Sequence, residues 1–154
     1  MTDDTESPAA RARRTLAAAD TCTLATASPD GRPEAATVRF VADDAFDLYV
    51  TTQSTYRKYH NVTANPRVAV VVDGPDNLQL EGTAREVDGE AAAFVRRRYE
   101  EKYGPSDYLT NADSVFLAIE TDWARLLVDG TYPPEFAVVL GEDGGDPHGT
   151  ETTR

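Results

Sequence analysis

The sequence holds one cysteine, Cys22, which excludes an internal disulfide and a cysteine-built metal cage. Histidine occurs twice, as His60 and His148, with no second histidine or cysteine at zinc-ligand spacing. No apolar run approaches the ~20 residues that a membrane helix needs. Met1 to Pro8 is acidic and polar, unlike the basic start and apolar centre of a secretory signal. Phosphate-binding P-loop, dinucleotide glycine-fingerprint and nucleophile-elbow patterns are all missing. Together these absences predict a cytoplasmic protein with no membrane partner.

Lysine is also scarce. Of the 15 basic residues only Lys58 and Lys102 are lysine, against 27 acids, and the net charge is −12 at pH 7. Such a field repels nucleic acid and excludes it as a partner outside local basic patches. Aspartate outnumbers glutamate 16 to 11. A surface poor in lysine and rich in aspartate predicts a halophilic protein, whose self-repulsion salt would screen.

The 154 residues fit a single domain. Residues 1–7 read as a disordered acidic N-terminus, 8–140 as the folded body and 141–154 as a disordered acidic tail. Pro8 suits the first position of a helix over Ala9–Ala19. Strands are expected over Thr21–Ala27 and Glu34–Val41, joined by the turn Ser28-Pro29-Asp30-Gly31. Phe46, Leu48 and Val50 alternate in a third strand. Ser54 or Thr55 then caps a helix ending near Thr63. The apolar run Val68–Val72 reads as a strand covered on both faces, and Leu78–Val87 follows it after Gly74-Pro75-Asp76. Ala91, Val95 and Tyr99 stripe a helix over Glu90–Tyr103, which Gly104-Pro105 stops. Val115–Ile119 is a sixth strand, and Trp123–Val128 extends it past a bend. Strands at hairpin spacing predict a mainly β fold, an antiparallel barrel with flanking helices.

The segment Thr51 to Lys58 carries the strongest chemical signal. It leaves a strand and enters a helix, with Arg57 and Lys58 where the helix dipole is already positive. Cations there are unfavourable by a few tenths of a kcal/mol, a cost that a bound anion relieves. The pair is either a solvated helix end or half of an anion cradle completed by backbone N–H groups and hydroxyls. Arg39 lies opposite Val38 and Phe40 and faces either a cleft or a rim acid. Arg96-Arg97-Arg98 has Glu90, Glu100 and Glu101 near it and reads as helix-surface pairing. Trp123 and Tyr132 are candidates for stacking or for packing.

These segments, in order, resemble the pyridoxamine 5'-phosphate oxidase-like family of FMN-binding split barrels. The resemblance covers about residues 15–130. It rests on Thr23-Leu24-Ala25-Thr26, Asp30-Gly31-Arg32-Pro33, Val38-Arg39-Phe40-Val41, Tyr49-Val50-Thr51-Thr52, Arg57-Lys58, Asn65-Pro66-Arg67-Val68 and Gly82-Thr83-Ala84. It implies a six-stranded antiparallel split β-barrel, working as a homodimer with cofactor sites at the subunit interface. It further implies an oxidoreductase that passes hydride or electrons between FMN and a small-molecule substrate. Arg57 and Lys58 would then hold the flavin phosphate, Thr51 and Thr52 would contact the flavin, and Arg39, Phe40 and Val41 would lie along it. Gln79, or Asn77, would reach it from the partner subunit. After Trp123 the chain lacks the family's pyridoxal-binding signature, which argues against vitamin B6 oxidation. Lys58-x-x-Asn61-Val62 also resembles the branch that uses the 8-hydroxy-5-deazaflavin coenzyme, so a deazaflavin-dependent reductase is the alternative. A non-catalytic flavin-binding module is the other.

Overall fold

The computed structural model describes residues 6–74 and 76–142. The expectations for residues 1–5 and 143–154, and for Pro75 in its turn, lie outside the described residues. Helix α1 (Pro8–Ala18) starts on Ser7, whose hydroxyl accepts the Ala10 N–H at 3.1 Å. Strands β1 (Thr21–Ala27) and β2 (Pro33–Arg39) form a hairpin. Its turn needs Gly31 at φ +88°, with the Gly31 N–H donating to the Ser28 carbonyl at 2.9 Å. Then follow β3 (Val41–Ala42), β4 (Leu48–Gln53), helix α2 (Arg57–Ala64), β5 (Arg67–Val72), β6 (Leu78–Val87), helix α3 (Gly89–Tyr103), β7 (Ser114–Asp129) and β8 (Glu135–Leu140).

Every pairing is antiparallel, in the order β2-β1-β5-β6-β7-β4-β3, with β8 on β7. The path begins and ends on consecutive pieces of chain, since only Phe40 separates β2 from β3. Counted as one strand, β2 and β3 close a six-stranded barrel, and β8 is an addition to its wall. The expected strand Glu34–Val41 is therefore real but broken. At Phe40 the chain drops β1 and takes up β4.

That crossing frees backbone groups which must find other partners. The C-terminal turns of α3 supply them. The Tyr103 hydroxyl accepts the Phe40 N–H at 3.1 Å and lies 2.6 Å from the Phe40 carbonyl. The Lys102 ammonium donates to the carbonyls of Phe40 (3.1 Å) and Ala19 (2.7 Å), and sits 4.4 Å over the Phe40 ring. Phe40 itself is fully buried.

The barrel interior is filled by alternate residues, among them Leu24, Leu48, Val70, Leu80, Leu117 and Leu126. A second cluster under α3 holds Val41, Val87, Val95, Tyr99 and Phe116. Gly82 sits at a bulge opposite β7, and a Cβ there would lie 2.3 Å from the Glu120 carbonyl oxygen.

Several expectations are corrected. Val68–Val72 is covered on one face only: Val68, Val70 and Val72 are buried, while Ala69 is exposed and Val71 half-buried. Phe46 is not a strand residue but turns the chain at φ +70° with its ring in the core. α2 begins at Arg57 with Tyr56 as its N-cap, later than a Ser54 or Thr55 cap would place it. β7 runs unbroken through 16 residues, and β8 was not expected.

Two substitutions test this architecture by urea denaturation. Tyr103→Phe leaves the Phe40 N–H without its acceptor and should cost about 1–3 kcal/mol. Gly82→Ala drives a methyl into β7 backbone and should cost about 2–3 kcal/mol.

Candidate functional site

β3 covers the free side of β4 only as far as Tyr49, so beyond it β4 and β2 lie across a split in the barrel. Tyr99 bridges that split. Its hydroxyl accepts the Thr51 N–H at 3.0 Å and donates to the Arg39 carbonyl at 2.7 Å. Burial pushes the phenols of Tyr99 and Tyr103 upward, so both remain neutral hydrogen-bond donors.

The split opens into a cavity of about 510 Å³. One wall is β2 at Thr37, Val38 and Arg39, and another is the end of β4 at Thr51, Thr52 and Gln53. The C-terminal turns of α3 and the segment Ser106–Leu109 close the far side. Among the described residues the lining contains two cations, Arg39 and Lys58, and no carboxylate. In a chain with a net charge of −12 that is a local reversal of sign.

Sequence builds this corner step by step. At Gln53 strand β4 ends, the Ser54 N–H donates to the Asp113 carbonyl (2.8 Å) and the Tyr56 N–H to the Gln53 carbonyl (2.9 Å). The turn delivers Arg57 and Lys58 to the first turn of α2. Among the described residues no side chain caps that helix, and its first residues, Arg57 and Lys58, line a cavity at its positive end.

Thr52 is 4% exposed, and its hydroxyl has no hydrogen-bond partner. An unsatisfied buried hydroxyl costs about 1–3 kcal/mol. The Lys58 ammonium lies 5.0 Å from the Tyr56 ring centroid. Burial lowers its pKa, and the nearby Glu34 carboxylate opposes that shift.

A second cavity of about 400 Å³ holds Arg57 and Glu34 and shares Tyr56 and Lys58 with the first, so the two form one groove. The Arg57 side chain is 82% exposed and pairs with Glu34 at 2.5 Å. Glu34 also accepts from the Asn61 amide, which donates to the Thr26 hydroxyl at 3.0 Å as well.

Of the residues singled out in the sequence, Arg39, Thr51, Thr52 and Lys58 meet in the larger cavity, and Arg57 lines its continuation. Phe40 and Val41 line neither part. Both side chains are buried, and the Phe40 backbone is engaged by α3. Gln79 lies on β6 away from the groove, where its carbonyl accepts from Arg125 at 2.8 Å. Asn77, Trp123 and Tyr132 do not line it either. Arg39 sits 5.0 Å from the Tyr103 ring centroid rather than on a rim acid. Sequence reasoning missed Tyr56, Ser106, Tyr108 and Glu34, and took Tyr99 as a core stripe residue. The available signal was the spacing of Tyr99 and Tyr103, four apart on one helix face, because a buried phenol seeks a polar partner.

Comparison with known proteins places this groove in context. The family model described as pyridoxamine 5'-phosphate oxidase matches residues 9–127. No curated protein matches the chain. The heme storage protein HutZ from Vibrio cholerae superposes with a TM-score of 0.66 at 19% identity, over 72% of this chain and 87% of its own. A heme binding protein from Mycobacterium smegmatis gives 0.72 at 20% identity, over 88% of this chain and 59% of its own. An F420 reductase gives 0.61 at 27% identity, over 73% and 94%.

The lowered pKa of Lys58 sets a direction for pH. Burial makes its ammonium lose the proton at lower pH than a free lysine would, so affinity for an anionic ligand should fall as pH rises through the alkaline range, earlier than for an exposed lysine. Lys58→Arg, which keeps its charge, should move the fall to higher pH in fluorescence titrations.

Proposed function

The chain belongs to the pyridoxamine 5'-phosphate oxidase family, and from that premise we propose that it binds FMN in the groove and acts as a flavin-dependent oxidoreductase on a small-molecule substrate. One observation carries the reading: among the described residues the larger cavity is lined by cations and no carboxylate, in a strongly acidic chain. The groove also fits a flavin in other respects. It offers the unpartnered Thr52 hydroxyl, the uncapped start of α2, and the rings of Tyr56 and Tyr108 as planar surfaces.

In this reading Lys58 and Arg57 hold the phosphate end. Thr51, Thr52 and Arg39 line the remainder of the ligand. A bound flavin supplies the two-electron chemistry, while the protein binds, orients and shields it. Tyr99 and Tyr103 hold the groove wall in place through the β2 and β4 backbone.

The outward faces of β1, β2 and β5 bear small side chains in register, Thr37-Thr23-Val71 in one row and Ala35-Ala25-Ala69 in the next. Ala35 and Thr37 also line the groove. A second copy covering this face would make the protein a homodimer with its groove at the interface, where Gln79 of one protomer would face the ligand of the other. The lysine-poor surface extends the proposal to a protein that works in concentrated salt.

The deazaflavin coenzyme is the alternative occupant, since its phosphate suits the same cations and an F420 reductase shares the fold. The heme-binding relatives raise heme; the lining among the described residues includes no histidine, cysteine or methionine, and tyrosines such as Tyr56 and Tyr108 are the axial-ligand type it offers.

The absorption spectrum of the purified protein decides between these occupants. A yellow protein that bleaches on reduction supports FMN, absorption at shorter wavelength supports the deazaflavin, and a Soret band supports heme. Binding without turnover against a panel of electron donors and acceptors would leave a non-catalytic flavin module. Replacing Arg57 and Lys58 by alanine should weaken FMN at least tenfold, and unchanged affinity would remove the assignment. Light scattering should give twice the monomer mass.

A further inference from the structure

The sequence presents Arg57 and Lys58 as a bare pair of cations, but the structure adds a third charge. The Glu34 side chain is 19% exposed and lies in the same part of the groove. One carboxylate oxygen is 2.5 Å from the Arg57 guanidinium, and the other accepts from Asn61. Asn61 is 5% exposed and is itself anchored on Thr26. The carboxylate is thus fixed from below, whereas the Arg57 side chain is 82% exposed. Glu34, Arg57 and Lys58 together carry a net charge of +1, not +2.

From this geometry we infer that Glu34 is a specificity-determining residue of the groove: its carboxylate competes for Arg57 and disfavours a doubly charged phosphate end against a singly charged or neutral one. The inference rests on the proposal that a ligand's phosphate lies at Arg57 and Lys58. A phosphomonoester dianion arriving there must draw Arg57 away from Glu34 and then sit beside the remaining negative charge. A like charge a few ångströms away in a partly solvated groove weakens binding by roughly tenfold. A ligand with no phosphate does not meet this penalty. Of the two cations beside Glu34, Lys58 makes its contact with the Tyr56 ring, although the Glu34 charge acts on it as well.

Glu34→Gln isolates the charge, because the amide oxygen still accepts from Asn61 and the side-chain volume is kept. At low ionic strength FMN should bind this variant about tenfold more tightly than wild type, and riboflavin should bind both equally within twofold. Melting temperatures check that the variant is folded, and Glu34→Ala should shift FMN in the same direction. FMN affinity that is unchanged or weaker in folded Glu34→Gln would overturn the inference while leaving the flavin proposal intact. Should no flavin bind wild type, the flavin proposal fails, and inorganic phosphate still decides the role of Glu34. Followed through the Arg57 Nε–H resonance, phosphate should bind Glu34→Gln more tightly than wild type, and equal binding would overturn the inference.

Discussion

The barrel depends on what happens to one peptide. At Phe40 the chain leaves one strand partner and joins another, and the polar groups on either side of the crossing lose their ladder. The last turns of α3 replace it with two phenols and an ammonium. Each is a side-chain hydrogen bond to buried backbone, where an unmade bond would be expensive. The helix thereby does more than cover apolar surface. It supplies partners for the backbone groups freed where the chain crosses from one end of the sheet to the other, and the Tyr99 hydroxyl spans the split beside the groove.

Charge organises the surface in the same local way. Acids dominate the chain, yet the groove collects Arg39, Lys58 and Arg57 within one continuous hollow. The long-range field opposes an anionic ligand, so recognition falls to short-range contacts in a partly desolvated pocket, where salt screens least. Lys58 reflects this compromise: burial weakens its hold on a proton, and Glu34 partly restores it. In a salt-rich medium the distant acids are muted, and the groove's own residues decide what binds.

Much of the fold was legible in the sequence because alternation and turn chemistry are local. Thr21–Ala27 and Leu78–Val87 have the bounds read from their pattern, and Gly31 and Gly104 stop their elements where positive φ is needed. The break at Phe40 was hidden because the residues on both sides look like strand, although the adjacent buried pair Phe40-Val41 interrupts the alternation that Val38 and Phe40 begin. β8 escaped because it pairs only with β7 and none of its residues is fully buried. The groove was half legible. Arg39, Thr51, Thr52 and Lys58 converge as their strand and helix positions suggested, but Glu34 reaches Arg57 across 23 positions of sequence, a meeting that only the β1–β2 hairpin and α2 create. Likewise Tyr99 looked like core by periodicity, and it is buried. Only its hydroxyl, which no pattern of apolar residues reports, joins the split.

The bridging phenol of Tyr99 carries one more consequence. Past Tyr49 the free side of β4 has no strand beside it among the described residues, and such an edge is a template for strands of other molecules. By engaging the Thr51 amide, Tyr99 denies an incoming strand its anchor, and the bulk of α3 blocks the approach. The contact that shapes a binding hollow is thus also a safeguard against aggregation, placed where the barrel is least complete.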